Sequence, residues 1–234
     1  MLEQNGVRMA AVSYDSREIL QAFAEKYGIG FPLLSDRDSA VIRSFGIFNT
    51  NIAPALRAWG VPHPVDYLVA PDGTVTRKYF VPNYQHRVTA STIALREFGN
   101  AGQDAAAVTL RSGALTVEIG LAAAEAFAGQ EIGFFARFRV EPGWHVYSST
   151  AITFDDPKIV RQSFELPGDS ALLGGSFQCL GSLLLKFPVD AGRTALSGKL
   201  SFQQCGNTVC EPPETIPFKL PLTVEPFLVA TPKK

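Results

Sequence analysis

Apolar and polar residues alternate along most of the second half of the chain. The alternation is clearest from Leu115 to Leu121 and from Ile132 to Val140. A period of two residues is typical of strands that bury one face. Shorter runs at 163–166 and 183–189 continue the pattern between turn-forming residues, and no helical periodicity separates them. The pattern predicts an all-β domain, either a sandwich or a barrel.

The first hundred residues follow a different pattern. The short apolar run from Val7 to Val12 predicts a strand, and Asp15-Ser16 then provides a helix-capping signal. A helical apolar stripe follows and stops at Gly28. The stripe consists of Ile19, Leu20, Phe23, Ala24 and Tyr27. This order predicts a strand followed by a crossover helix.

Further elements are predicted before residue 100. A second short helix spans 39–45, and two strands, 64–70 and 74–80, flank a Pro71-Asp72-Gly73 turn that favours a hairpin. The stretch 88–98 predicts a closing helix that ends at Gly99. The first part is therefore an α/β domain.

Composition supports two domains and excludes some functions. The 234 residues are 46% apolar and 18% charged, which suffices for two modest cores. We expect domains at 1–99 and 108–228, a small-residue linker at 100–107 and a disordered tail at 229–234. A net charge of -1 with scattered basic residues argues against nucleic-acid binding. No apolar stretch is long enough to span a bilayer, and the chain does not begin with a signal peptide.

Cys205 and Cys210 are the candidate reactive residues. Alternation before Cys205 places it on the polar, solvent-facing side of a strand, and the apolar series resumes at Ile216. The two runs predict a hairpin that brings the sulfurs within disulfide distance across its neck. A loop this short adds only about 2 kcal/mol of stability through chain entropy. The pair is either a structural staple or an accessible redox pair, and the spacing alone does not decide between them.

The third cysteine, Cys179, is expected to be a small buried hydrophobic residue. A role in resolving a mixed disulfide is the alternative. A zinc site formed by the three cysteines and His145 is the least favoured interpretation, because their spacing lacks paired short-range ligands. No metal and no cofactor are therefore expected.

Two motifs in the second half resemble the N-terminal domain of DsbD-type thiol:disulfide interchange proteins. They are residues 140–147, VEPGWHVY, and the segment from Gln204 through Cys210 to Thr215. The resemblance covers roughly 108–227 and implies an immunoglobulin-like β-sandwich in the periplasm. It also implies that Cys205 and Cys210 exchange electrons with thioredoxin-like partners. The resemblance also places a loop that caps the cysteines at 174–179. The predicted shielding aromatic residues are Trp144, Tyr147 and, in this loop, Phe177.

Three segments of the first half resemble the peroxiredoxin and thioredoxin-like redoxin family. They are residues 12–16, 31–36 and 62–73. The resemblance implies a thioredoxin-like fold in which Pro64 takes the place of a cis-proline. In that family a strand and a cysteine-bearing turn precede the first strand found here, whereas residues 1–100 contain no cysteine. We therefore expect an N-terminally shortened domain with a gap in its sheet.

These observations lead to one functional hypothesis with two alternatives. The hypothesis is thiol-disulfide exchange in the bacterial cell envelope through Cys205 and Cys210, with thioredoxin-like redox proteins as partners. The first alternative is a non-catalytic binding or adaptor module in which the disulfide is structural. The second is a peroxiredoxin-type antioxidant whose reactive cysteine lies in an upstream segment.

Overall fold

The computed structural model describes residues 2–56, 59–80, 83, 85–101, 106–168 and 170–226. The chain is rich in β-strands and has few helices. It forms two compact units, Leu2–Tyr84 and Gln85–Lys234. Among the described helices, none has the length and apolar character needed to cross a membrane.

Among its described residues, the first unit contains a 3-10 turn at Glu3–Asn5, followed by four short strands and two α-helices. They are β1 (Ala11–Ser13), α1 (Arg17–Tyr27), β2 (Leu33–Ser35), α2 (Ala40–Ser44), β3 (Val65–Val69) and β4 (Val75–Phe80). Helix α1 begins as predicted, because the Ser16 hydroxyl accepts a hydrogen bond from the backbone N–H of Ile19 at 3.4 Å. It ends at Gly28, whose φ of 63° lies in the left-handed region.

The strands of the first unit form two separate ladders. Strands β1 and β2 are parallel, with Val12 opposite Leu34, and β3 and β4 form the predicted antiparallel hairpin. Within the described residues the two ladders do not pair with each other. Of the predicted stripe on α1, Leu20 is buried, whereas Ile19 and Phe23 are 56% and 48% exposed.

Among its described residues, the second unit contains one helix and thirteen strands. They are β5 (Arg87–Val88), α3 (Ala90–Phe98), β6 (Ala107–Ser112), β7 (Leu115–Leu121), β8 (Glu125–Phe127), β9 (Gln130–Val140), β10 (His145–Tyr147), β11 (Ala151–Phe154), β12 (Ile159–Glu165), β13 (Leu172–Leu173), β14 (Ser176–Leu185), β15 (Gly192–Phe202), β16 (Gln204–Cys205) and β17 (Glu214–Glu225). The alternating stretches predicted from 115 and 132 correspond to β7 and β9.

Two sheets pack face to face around a single large core. One sheet has the strand order β12-β14-β9-β7-β6, with β5 also pairing with β9, and the other has the order β11-β15-β17-β8. Buried residues of both sheets, such as Phe134 and Leu220, belong to one apolar cluster. The prediction of two β-sheets that share one core is thus confirmed. A small third sheet, β13-β10-β16, lies in the same unit and carries Cys205.

Helix α3 packs on strand β9. The Thr92 hydroxyl accepts from Gly133 N at 2.6 Å and donates to Glu131 O at 3.0 Å, while Arg96 forms an ion pair with the Glu131 side chain. The segment 85–99, placed in the first domain from its sequence, therefore lies in the second unit. An apolar stripe on a helix does not show which of the two domain cores the helix packs against. Parts of the predicted linker, 102–105, and the predicted tail, 229–234, lie outside the described residues.

Candidate functional site

A long hairpin presents the two cysteines. Strands β15 and β17 pair over their full lengths, with Leu200 opposite Ile216 and Phe202 opposite Glu214. Beyond the hairpin ladder, Cys205 and Cys210 form an isolated antiparallel bridge. Their sulfurs are joined in a disulfide, and their Cα atoms are 4.0 Å apart. The predicted hairpin and the predicted proximity of the sulfurs are both confirmed.

The two cysteines differ in exposure, which the alternation did not predict. Cys205 is 1% exposed, whereas Cys210 is exposed. The expectation that Cys205 faces solvent is therefore wrong. Burial alternates as far as Gln204, and the alternation breaks at Cys205, because both residues of β16 are buried where this strand joins the small sheet with β10. The disulfide thus has one open side, at Cys210.

Aromatic residues of the Trp144–Tyr147 stretch surround the disulfide. The Tyr147 hydroxyl lies 3.5 Å from the Cys205 sulfur and 3.9 Å from the Cys210 sulfur. His145 is opposite Cys205 in the β10-β16 ladder, and its ring meets the Tyr147 ring edge-on. A Cβ added to Gly206 would lie 3.4 Å from the Trp144 indole, so this ring covers the loop between the cysteines. The structure therefore brings Trp144 and Tyr147 together with the pair.

Phe177 lies in a strand rather than in a loop. It is the second residue of the long β14-β9 ladder, opposite Phe138, and the two rings stack with centroids 4.7 Å apart. It is partly buried against the core of the sandwich. The short turn before it, Gly174-Gly175, replaces the loop that was expected over the segment 174–179. A shielding role for Phe177 stays a prediction.

Cys179 and Pro64 are the other two residues that the sequence singled out. Cys179 is paired with Ala136 in the β14-β9 ladder and is buried, as expected. This burial raises the pKa of its thiol to about 12. Pro64 belongs to the first unit, and its peptide bond is not cis, because the cis bond found among the described residues precedes Pro188. The trans form is the ordinary state of an X-Pro bond.

Two polar residues, Gln204 and Glu211, complete the site. The sequence pattern did not predict their role. Gln204 is 1% exposed, and its side chain accepts from Ala114 N at 3.0 Å and donates to Ser112 O at 3.3 Å. The same amide donates to the Glu211 carboxylate. The turn between β6 and β7 thereby holds the residues that precede and follow the cysteine loop. No sequence signal short of the three-dimensional contact identifies this connection, because about 90 residues separate Gln204 from the turn.

Two families match separate parts of this chain. Residues 1–78 match the AhpC/TSA family, and residues 120–222 match the family described as thiol:disulfide interchange protein DsbD, N-terminal. Peroxiredoxin Bcp of Escherichia coli (strain K12) is 34% identical over 74 residues, which is 32% of this chain and 47% of that protein. A putative peroxiredoxin bcp of Shigella flexneri matches to the same extent. The chain thus spans about half the length of the curated relatives it matches.

Two solved structures are also similar to the chain. The N-terminal periplasmic domain of ScsB from Proteus mirabilis has a TM-score of 0.37 and 15% identity, covering 50% of each chain. The reduced DsbD n-terminal domain of Neisseria meningitidis has a TM-score of 0.28 and 20% identity, covering 39% of this chain and 78% of that one. The family matches support a thiol-disulfide redox function in general. Residues 1–78 are therefore similar to the AhpC/TSA family, and residues 120–222, which contain both cysteines of the disulfide, are similar to the DsbD N-terminal family.

Proposed function

We propose that the chain exchanges electrons with thioredoxin-like proteins of the bacterial cell envelope through the Cys205–Cys210 disulfide. One observation carries the proposal: Cys210 is exposed, whereas Cys205 is buried with its sulfur 3.5 Å from the Tyr147 hydroxyl. Exchange requires a sulfur that an incoming thiolate can reach and a leaving sulfur whose charge is stabilised. The exposed Cys210 sulfur is the one that a thiolate can reach, and the Cys205 sulfur beside the Tyr147 hydroxyl is the leaving sulfur.

The exchange proceeds in two steps when the chain accepts electrons. A thiolate of the partner attacks the Cys210 sulfur, the S–S bond breaks, and Cys205 leaves as a thiolate. The Tyr147 hydroxyl donates a hydrogen bond to this leaving sulfur, and a proton from solvent then completes the thiol. The second partner thiol, once deprotonated, attacks the partner sulfur of the mixed disulfide and releases Cys210. The partner becomes a disulfide, and two electrons have passed to Cys205 and Cys210.

The other parts of the chain are assigned from their family matches. The DsbD match at 120–222 supports an envelope location and an immunoglobulin-like sandwich, and the AhpC/TSA match at 1–78 supports a thioredoxin-like fold for the first part. Residues 1–100 contain no cysteine, so we assign the exchange to the sandwich alone. Trp144 and Tyr147 are proposed to shield the pair between exchange events.

Single-cysteine variants test the order of attack. The Cys205→Ser variant leaves the exposed Cys210 thiol, and Cys210→Ser leaves the buried Cys205 thiol. Each reduced variant is mixed with a bacterial thioredoxin that retains only its attacking cysteine, activated as a mixed disulfide with thionitrobenzoate. Release of thionitrobenzoate and the covalent complex on a non-reducing gel report the reaction.

We expect the Cys205→Ser variant to form the complex at least tenfold faster than Cys210→Ser, because access limits attack at a buried sulfur. Equal rates would contradict the assignment of Cys210 as the attacked sulfur. No complex with either variant, although unfolded protein reacts fully, would favour the adaptor module with a structural disulfide.

A further inference from the structure

Gln204 and Glu211 directly flank the two cysteines, and we call them the flanking pair. Their backbones are joined, because Glu211 N donates to Gln204 O at 3.0 Å. Their side chains are joined as well, by a hydrogen bond of 2.5 Å from Gln204 Nε2 to Glu211 Oε2. Neither hydrogen bond involves a sulfur atom. The flanking pair therefore connects the two ends of the cysteine loop independently of the disulfide.

The flanking pair is anchored to the β6-β7 turn. The Gln204 amide bonds the backbone of this turn at both Ser112 O and Ala114 N. Gly113 lies between them with a φ of 51°, and a Cβ at this position would lie 2.3 Å from Gln204 Nε2. Only glycine leaves room for the amide here. A turn on β6-β7, far from the cysteines in sequence, thus fixes the position of the flanking pair.

The flanking pair constrains the cysteines differently in the two redox states. In the oxidised protein the S–S bond already holds the two cysteines together, so the flanking pair adds little constraint. In the reduced protein that covalent link is absent. The hydrogen bonds of the flanking pair then help to keep residues 205 and 210 adjacent, together with the bonds from Gly206 N to Val209 O and from Gln203 Nε2 to Glu211 O. Groups that are held close react as if at high local concentration. A preserved geometry in the reduced state therefore favours closure of the disulfide.

We propose that Gln204 and Glu211 are positioning residues that lower the reduction potential of the Cys205–Cys210 disulfide by keeping the reduced thiols in bonding geometry. The inference rests on the proposed exchange at this disulfide and adds a determinant of its equilibrium. The hydrogen bond, rather than the negative charge of Glu211, carries the effect. The two explanations are separable, because a glutamine at 211 keeps an acceptor oxygen and removes the charge.

The test is a redox titration of the full chain in glutathione buffers, with the reduced fraction read by alkylation and mass spectrometry. Glu211→Ala removes the acceptor, and Glu211→Gln is the conservative variant. Glu214→Ala is the matched control, since Glu214 carries the same charge and its carboxylate bonds Ser112 of the same turn. Gly113→Ala leaves both residues of the flanking pair in the sequence but displaces their side chains, because its Cβ would lie 2.3 Å from Gln204 Nε2 and 3.1 Å from Glu211 Oε2. Unfolding curves of the oxidised variants show whether each one folds.

For Glu211→Ala we expect the equilibrium constant for disulfide formation to fall about tenfold, as for the loss of one partly buried hydrogen bond. A tenfold change corresponds to a rise in potential of ~30 mV for this two-electron couple. Gly113→Ala should shift the potential in the same direction. Glu211→Gln and Glu214→Ala should remain within twofold of the wild type.

A merely structural role for the flanking pair would destabilise both redox states equally and leave the potential unchanged, which would overturn the inference. An equal shift in Glu211→Gln and Glu211→Ala would also overturn it, because charge would then be the cause. If the wild-type disulfide fails to equilibrate with glutathione at all, the proposed function fails and this inference fails with it. If the wild type equilibrates and no variant shifts, only the positioning role is lost.

Discussion

Replacing Phe177 with alanine removes a ring that stacks on Phe138 and packs against the core of the sandwich. Truncation of a fully buried phenylalanine costs about 3 to 5 kcal/mol. Phe177 is only partly buried, so we expect a loss of about 2 kcal/mol, of which the stacked pair supplies about 1 kcal/mol. The free energy of unfolding from urea titration of the oxidised protein measures this loss.

The same variant should leave the thiol chemistry unchanged. The contacts described around the two sulfurs come from Tyr147, so we expect the rate of reduction by dithiothreitol in Phe177→Ala to stay within twofold of the wild type. Tyr147→Phe provides the positive control, because it keeps the ring and removes the hydroxyl that stabilises the Cys205 thiolate. It should slow reduction about fivefold, the size of a modest hydrogen bond. Faster reduction of Phe177→Ala with unchanged stability would refute this reasoning and identify Phe177 as a shield of the disulfide.

Three further outcomes are expected. Gly181→Ala should destabilise the sandwich by about 3 kcal/mol in urea titration, because its Cβ would lie 2.3 Å from the Phe134 ring. Gly30→Ala is the control and should be neutral, because its Cβ meets no atom within 4 Å. Similar losses of stability in both variants would contradict this packing. Burial raises the pKa of the Cys179 thiol from 9.0 to about 12, so Cys179 in the native protein should resist iodoacetamide at pH 8. The free energy of unfolding should fall as pH rises from about 9 to about 12, because the thiol of the unfolded chain ionises first. Rapid alkylation of Cys179 in the native protein would exclude such burial. The chain should consume no peroxide with thioredoxin as reductant, because residues 1–100 contain no cysteine; turnover would show that the sandwich pair attacks peroxide.

Local signals predicted the elements that depend on neighbouring residues. Capping residues placed helix α1 between Ser16 and Gly28, and helix α3 ends at Gly99 as the sequence indicated. The alternation on both sides of the cysteines predicted the β15-β17 hairpin, because a period of two extends over many residues there. Such patterns are reliable where one face of a long strand is buried.

Contacts between distant segments could not be predicted in this way. Alternation extrapolated to Cys205 placed it on the wrong face, because Gln204 and Cys205 are both buried in the small sheet with β10. Phe177 was expected in a loop, yet its pairing with Phe138 extends a strand through the position. The bonds of Gln204 to the β6-β7 turn join segments about 90 residues apart, and nothing local to either segment indicates them. Tertiary pairing, rather than local preference, decided each of these cases.

The redox equilibrium of the native Cys205–Cys210 disulfide tests the central claim most directly. Folded protein is equilibrated in dithiothreitol and glutathione buffers of graded potential, alkylated and analysed by mass spectrometry, while circular dichroism reports whether it remains folded. The account predicts a reversible two-electron transition of the folded protein at a potential above about -300 mV, the range below which structural disulfides lie. A disulfide that resists reduction until the domain unfolds would contradict the account and identify the bond as a structural staple.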